Sequence, residues 1–453
     1  MLKNISIYAI FGVVAKSFSL LIIPLIARNL SVEDFGSYIV LISTIMLIQS
    51  TFLFGFEHSL NYFFNKFKSE NNKKILVSTQ IIFILLITIS FSIIASLALS
   101  NRVENINVIL IWGVLSVVVA YCTTLLKVDM NVLAFIKNQL LQSVTLLCLI
   151  YLFVIMLSQS LEGVIYANIL ALMMSIIFIY TFINKYLSIN FNISLLKKVL
   201  IYGLPLMPSG AVLWASMQLD RYFILYFIDE YSLGVYALSL AVVMIPLFLK
   251  TAVKSAIDPF IMKSFHASPD KTRKVISSYF TLNLLVFSFI FLSISLFSRE
   301  IVMLMGGIKF LESTPYIPWL LLITSLTTCN QYFIYGINFS KKNAFILKGL
   351  IYMLFINVLL MFALIKSIDI YGVIVANFIA NIFYSIYLYR KSNKLYSIDY
   401  HTKKNTFIIA GTLIIFTLNF YIFPESYILK IISLLFYIII NMRTSIYIKR
   451  LIT

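Results

Sequence analysis

Charged side chains, histidines and cysteines are all scarce in this chain of 453 residues, and each scarcity excludes a class of protein. Charged residues make up 11% of the chain and apolar residues 61%, so there is too little polar surface to cover a water-soluble globule of this length. The three histidines are far apart, and the three cysteines show no paired spacing. The sequence therefore predicts neither a metal site nor a disulfide framework.

Long apolar stretches recur along the whole chain. About fourteen of them, each of about 18–25 residues, are separated by short polar breaks, and each is long enough to cross a bilayer as an α-helix. The second falls at 38–62 and the seventh at 200–228. We predict an all-α integral membrane protein with about 14 transmembrane helices.

The second half of the chain repeats the first. The run Gly-Val-Ile-Tyr-Ala-Asn at 163–168 returns as Gly-Val-Ile-Val-Ala-Asn at 372–377. Each copy holds six spans, and an even number returns the chain to the same side of the membrane, so we expect two parallel six-helix bundles around a central cleft. The predicted domains are the N-terminal bundle at 1–198, its repeat at 199–392, and two additional helices with a cytoplasmic tail at 393–453. Those two helices are expected either to pack outside the core or to extend the cleft toward lipid.

The net charge of +18 comes from basic loops on one side of the membrane. Most of the 35 lysines and arginines fall in alternate loops, which places both termini in the cytoplasm of a multi-pass membrane protein. No loop is long enough to grip a nucleic acid, so we predict membrane lipids as counterions and no nucleic-acid partner. The outer loops are too short for a catalytic domain, and we predict that the chain is not an enzyme.

Each repeat has one acidic pair just before its Gly-x-Tyr. The pairs are Glu33-Asp34 in the first repeat and Asp229-Glu230 in the second. We predict that they stabilise helix N-termini, where negative charge is favoured.

Ionisable residues inside spans are candidates for function because lipid penalises them unless they are paired or hydrated. Lys16 is expected near mid-membrane, facing an aqueous cleft, with snorkelling or structural pairing as the alternatives. Asp220 and Arg221 fall in span seven. Adjacent residues project about 100° apart on a helix, so we expect at least one of them to find a partner on another helix. A structural ion pair and a cleft-lining role both stay open for them.

Further charged residues are predicted at the inner mouth of the cleft. Glu57 and His58 lie near the cytoplasmic end of span two, and histidine is the residue type suited to carrying a coupling proton. Lys250, Lys254 and Asp258 are spaced four apart on one helix face at the end of span eight, where the last two can pair. Interfacial anchoring is the alternative for all five.

Four stretches, taken in order and with their spacing, resemble the polysaccharide-export branch of the multidrug/oligosaccharidyl-lipid/polysaccharide (MOP) exporter superfamily, the Wzx-type oligosaccharide flippases. The resemblance covers nearly the whole chain, from about Leu2 to Arg390. The stretches are Ala27–Tyr38, which ends in Phe-Gly-Ser-Tyr, Tyr202–Pro208 with the Leu-Asp-Arg-Tyr that follows it, Ala256–Phe260 and Tyr371–Asn377.

The resemblance implies movement of an undecaprenyl-pyrophosphate-linked oligosaccharide, for O-antigen, capsule or a related surface glycan, across a bacterial inner membrane by alternating access. It implies no cofactor, leaves coupling to a proton or another ion gradient open, and suggests a glycan polymerase and a chain-length regulator as partners. Lys16 and Arg221 are then the candidate contacts for the pyrophosphate or an acidic sugar. A multidrug or cation antiporter of the related efflux branch and a membrane-embedded glycan polymerase are the alternatives.

Overall fold

The structure, a computed structural model, describes residues 21–101, 105–419 and 426–452. All regular elements in these ranges are helical. We number the helices from the first one whose two ends are both described. They are α1 Val32–Phe52, α2 Phe56–Lys66, α3 Glu70–Leu99, α4 Ile106–Val128, α5 Val132–Ile150, α6 Leu161–Ile183, α7 Ile193–Gly203, α8 Met207–Phe227, α9 Glu230–Ala267, α10 Pro269–Leu296, α11 Ser298–Met305, α12 Ile317–Phe339, α13 Ala344–Leu395, α14 Thr402–Thr417 and α15 Tyr427–Ile452.

The described helices are built for a bilayer. Nine helical segments in this part of the chain are long and apolar enough to cross a membrane. Large apolar side chains also point outward, with Leu97 exposed by 79% and Phe355 by 65%, which lipid tolerates and water does not. The prediction of an all-α integral membrane protein is confirmed. The α13 range holds two predicted spans, because the backbone leaves the helical region at Ile368 and Asp369.

The predicted continuous span at 38–62 is wrong, because the helix breaks after Phe52 and restarts at Phe56. Phe54 and Gly55 both have positive φ, at 48° and 69°. This is left-handed backbone that stops an α-helix and that glycine adopts at little cost.

The break in span two packs on a second glycine. A Cβ at Gly203 would lie 2.7 Å from the carbonyl oxygen of Phe54, and a Cβ at Gly55 would clash with the backbone of Gly203. Gly203 ends α7, and a 3₁₀ turn at Leu204–Leu206 leads into α8. The two interruptions therefore touch backbone to backbone, which only glycine at both positions allows.

Acidic residues begin helices as predicted from the two acidic pairs. Asp229 caps α9 by accepting a 2.6 Å hydrogen bond from the Ser232 amide, and Glu230 lies in the first turn. Glu33 and Asp34 occupy the first turn of α1, where the cap itself is Ser31. The prediction of a helix-entry role is confirmed for both pairs.

The chain divides into two compact units, residues 1–222 and 223–453. In the first, the described helices α1 to α7 pack together, and hydrogen bonds join α1 to α8 up to Tyr222. In the second, α12 packs along α13, and an aromatic core closes the ends of α9, α10 and α12. Tyr396 and Tyr400 in that core donate hydrogen bonds to the carbonyls of Pro269 and Tyr332.

The last two helices pack against α10 within the second unit. Tyr437 of α15 donates a 3.1 Å hydrogen bond to the carbonyl of Leu285, and Phe416 of α14 meets Phe291 with ring centroids 5.2 Å apart. Both helices thus cover one side of a neighbour rather than standing apart in lipid.

We predict that Gly203→Ala lowers the apparent free energy of unfolding by about 1–3 kcal/mol, because the new methyl group meets backbone that cannot move aside. Gly210→Ala is the matched control on α8, since nothing lies within 4 Å of a Cβ there. It should be neutral or stabilising by about 0.5–1 kcal/mol. Thermal unfolding of the purified chain in detergent makes the comparison. Equal midpoints for the two variants would contradict the contact between the two helix breaks.

Candidate functional site

The sequence-predicted site residues fall in both units, and one of them cannot be placed. Lys16 lies outside the described residues, so its position in the membrane stays a prediction. The other candidates lie on α8, α2 and α9.

Asp220 and Arg221 form an ion pair with each other on α8. The guanidinium Nη1 lies 3.0 Å from Oδ1 of Asp220 and also donates a 2.7 Å hydrogen bond to the carbonyl of Met217. The long arginine side chain folds back toward its neighbour, so the two adjacent residues pair although they project about 100° apart on the helix. The expected partner on another helix stays a prediction. Asp220 is 9% exposed, and Arg221 Nε has no hydrogen-bond partner among the described residues. Asp220 is therefore buried and Arg221 half-buried, and the guanidinium keeps a donor available for a ligand.

Hydrogen bonds join α8 to α1 in the first unit. Trp214 Nε1 donates to the carbonyl of Ser43 at 2.9 Å, Ser43 Oγ donates to Gln218 Oε1 at 3.0 Å, and the hydroxyls of Thr44 and Tyr222 lie 2.8 Å apart. We call these five residues the α1–α8 seam. The three α8 residues are spaced four apart, so they share one helix face. We did not single them out from the sequence, although this polar spacing inside an apolar span is the signal that could have found them.

Glu57 and His58 lie in the first turn of α2 and are exposed. The predicted position near the end of an unbroken span is wrong, because the break at Gly55 places both residues at the start of a new helix. A carboxylate in that position favours the helix N-terminus.

A buried hydrogen-bond chain holds α2 in place. Tyr121 donates to Gln80 at 2.8 Å, and Gln80 donates to Ser59 at 3.1 Å. All three side chains are buried. Buried hydrogen bonds thus hold in place the helix that bears the exposed Glu57 and His58.

Lys250 and Asp258 bond to α12 in the second unit. Lys250 Nζ donates hydrogen bonds to the Thr327 carbonyl at 2.9 Å and to the Thr327 hydroxyl at 3.2 Å. The hydroxyl of Tyr335 donates a hydrogen bond to the Asp258 carboxylate. The predicted shared face is present. The expected pairing of Lys254 with Asp258 is not among the ion pairs between described residues. Asp258 instead accepts a hydrogen bond from Tyr335.

The two helices are in constant register. Both bonds join residues 77 positions apart, so α9 and α12 run side by side in the same direction. The same offset places Gln331 opposite Lys254. Gln331 is 8% exposed and its Oε1 has no hydrogen-bond partner among the described residues, while Lys254 is exposed. We call the six residues that face each other here the α9–α12 seam: Lys250, Lys254, Asp258, Thr327, Gln331 and Tyr335. Hydrogen bonds join its first and last residue pairs. In the middle pair, the side-chain oxygen of Gln331 has no hydrogen-bond partner among the described residues.

The charge on Lys250 is not neutralised within the described residues. Its two acceptors are uncharged, and no ion pair there includes Lys250 or Lys254. The two ammonium groups stand one helical turn apart on one face. A lysine half-buried in lipid with a second cation beside it can bind an anion, since an anion lowers the cost of both charges.

The buried Lys430 and the half-buried Glu300 make an ion pair that we did not single out from the sequence. The Nζ–Oε1 distance is 3.0 Å, and Lys430 is 6% exposed, with its ammonium over the rings of Phe297 and Tyr427. A lone lysine just inside an apolar helix is the signal that could have found it. The pair ties α15 to α11.

Metal ligands do not cluster in the described part of the chain. No group of three or more His, Cys, Asp or Glu side chains there could hold a metal ion.

A double-mutant cycle tests the α1–α8 seam. Thr44→Val and Tyr222→Phe each remove one hydroxyl of the 2.8 Å contact, and we expect a coupling of about 0.6 kcal/mol between them, as for hydrogen bonds between membrane helices. The control pairs Thr44→Val with Tyr226→Phe, because Tyr226 is 82% exposed. Unfolding in detergent with added denaturant supplies the free energies. Additivity in both cycles would rule out the contact.

Comparison with known proteins agrees with the helical membrane fold. The family model described as polysaccharide biosynthesis protein matches residues 1–265. No curated protein sequence matches the chain significantly.

Solved structures share the fold at low identity. The lipid II flippase MurJ in an inward closed conformation has a TM-score of 0.78 and 14% identity, over 99% of this chain and 100% of its own. A multidrug resistance MATE family transporter of the MOP superfamily, in an inward-facing conformation, has a TM-score of 0.64 and 16% identity, over 84% and 95%. A point mutant of the Vibrio cholerae MATE transporter VcmN has a TM-score of 0.54 and 16% identity, over 86% and 97%.

The family match spans more than half of the chain, and the structural matches cover most of it. The resemblance drawn from the four sequence stretches is confirmed. This chain belongs to the polysaccharide biosynthesis protein family and has the fold of the MOP exporter superfamily.

Proposed function

We propose that this chain is a flippase that moves undecaprenyl-pyrophosphate-linked oligosaccharide repeat units across the bacterial inner membrane by alternating access. The family supports a role in polysaccharide biosynthesis, and the MurJ-like fold supports a lipid-linked substrate. The product is a surface glycan such as O-antigen or capsule. A glycan polymerase and a chain-length regulator are the partners that such a pathway needs downstream.

The observation that carries the proposal is the uncompensated charge on the α9–α12 seam. Lys250 lies inside the membrane-spanning part of α9 with neutral acceptors, and Lys254 follows one turn later. A pyrophosphate or an acidic sugar supplies the missing negative charge. A drug cation does not, because it adds charge of the same sign.

The remaining candidates take separate roles in this proposal. The repeated bundles at 1–198 and 199–392 rock about the cleft, while 393–453 adds two helices at the side. Lys16 and Arg221 contribute further cation contacts to the substrate. Arg221 is held in place by Asp220 and keeps its Nε donor available. Glu57 and His58, both exposed, are where a coupling proton could bind if an ion gradient drives the cycle.

The MATE structures favour one alternative, a multidrug antiporter of the efflux branch. A deletion strain separates the two functions. Loss of surface glycan with unchanged tolerance of lipophilic cations fits the flippase. Increased sensitivity to those cations with a normal surface glycan fits the antiporter.

We predict that Lys250→Gln lowers surface glycan in a complemented deletion strain about tenfold or more, because it removes a charge-assisted contact of about 1.5–3 kcal/mol. Lys250→Arg should retain most of the export, since it keeps the charge. Lys263→Gln is the matched control, an exposed lysine farther along the same helix. Surface glycan is measured by immunoblot, with equal amounts of each variant confirmed in the membrane. Normal surface glycan with Lys250→Gln would contradict the assigned role.

A further inference from the structure

A groove lies at the basic end of α13, apart from the residues considered so far. Its volume is about 380 Å³, and it is lined by Phe383, Ile386, Tyr387, Arg390, Lys391 and Lys394. Phe383 is 40% exposed and Ile386 47% exposed. These six side chains recur every three or four residues, so they form one continuous stripe on the helix surface.

The stripe changes character along its length. Its first turn is apolar and aromatic, and its last turns carry three cations. No aspartate or glutamate occurs between positions 370 and 398 of the sequence. None of the three cations belongs to an ion pair among the described residues. The part of α13 that follows Asp369 therefore holds no acidic residue to compensate the positive charge of the groove.

Aromatic rings fix one of these cations at the groove. The Lys391 ammonium lies 5.1 Å from the ring centroid of Phe345 and 5.7 Å from that of Tyr387. Such cation–π contacts hold the ammonium without neutralising it. Lys348, exposed one turn beyond Phe345, adds a fourth positive charge near the same end of the helix pair.

We propose that this groove binds an anionic phospholipid of the leaflet that faces the basic loops. The phosphate is held by Arg390, Lys391 and Lys394, and an acyl chain lies along Phe383 and Ile386. The order of the residues matches the ligand, because an apolar surface leads into a basic cluster as a lipid tail leads to its headgroup. Arginine and lysine together suit a phosphate, the first with a planar fork of donors and the second as a point charge.

The site is distinct from the proposed transport residues. It shares none with the α9–α12 seam or with the Asp220–Arg221 pair, and its ligand is a resident of the membrane rather than cargo. The inference therefore stands or falls independently of the flippase proposal, since lipid binding is measured without transport.

Native mass spectrometry of the full chain in detergent tests the site, with phosphatidylglycerol as the probe and phosphatidylcholine as the uncharged comparison. We expect the wild type to retain phosphatidylglycerol preferentially. Neutralising the groove with Arg390→Gln, Lys391→Gln and Lys394→Gln should weaken binding about fivefold for each cation removed. The control triple, Lys263→Gln, Lys271→Gln and Lys274→Gln, removes the same charge from exposed lysines outside the groove and should bind as the wild type does.

Ile386→Asn distinguishes a lipid from a free phosphate. A lipid needs the apolar surface, so this variant should also lose affinity, and millimolar inorganic phosphate should not displace the bound lipid. A photoreactive phosphatidylglycerol that labels 383–394 in the wild type covers the case in which the triple variant fails to fold. Equal binding by the groove and control triples, or labelling elsewhere only, would overturn the proposal. So would displacement by phosphate with no effect of Ile386→Asn.

Discussion

A polar group inside a bilayer has no water to bond with, and the arrangement of this protein depends on how each such group is satisfied. Neutral side chains pair with neutral side chains across helices, as Thr44 does with Tyr222 and Gln80 with Tyr121. Each pair fixes two helices at one depth and one rotation. Apolar packing alone would not do so, because lipid tails are as apolar as leucine.

Charges follow a different pattern from these neutral pairs. Glu300 neutralises Lys430, so this lysine is held by the protein itself. Asp220 pairs with Arg221 but leaves the arginine Nε without a hydrogen-bond partner among the described residues. Lys250 instead bonds to a carbonyl and a hydroxyl. These two neutral acceptors take up two of its three donors and leave its charge in place. This difference separates a structural lysine from one that can meet an anion.

Much of the fold follows from the sequence, because the length of an apolar stretch and the position of acidic residues are local properties. The all-α membrane class and the helix-entry role of Asp229 were predictable for that reason. The break at Gly55 was not, since it depends on contact with Gly203, far along the chain. The domain boundaries at 198 and 392 stay predictions from the repeat.

The candidate site was predictable in its residues and less so in its partners. The spacing of Lys250, Lys254 and Asp258 predicts that they share one helix face. The hydrogen bond from Tyr335 to Asp258 depends instead on the register between α9 and α12, which the spacing does not contain. The most direct measurement of the central claim is flipping by the purified chain in vesicles that contain a lipid-linked oligosaccharide, read with a membrane-impermeant lectin. The account predicts that lectin-accessible glycan in the outer leaflet rises faster than in protein-free vesicles. Equal rates in the two preparations, with the protein folded and inserted, would contradict it.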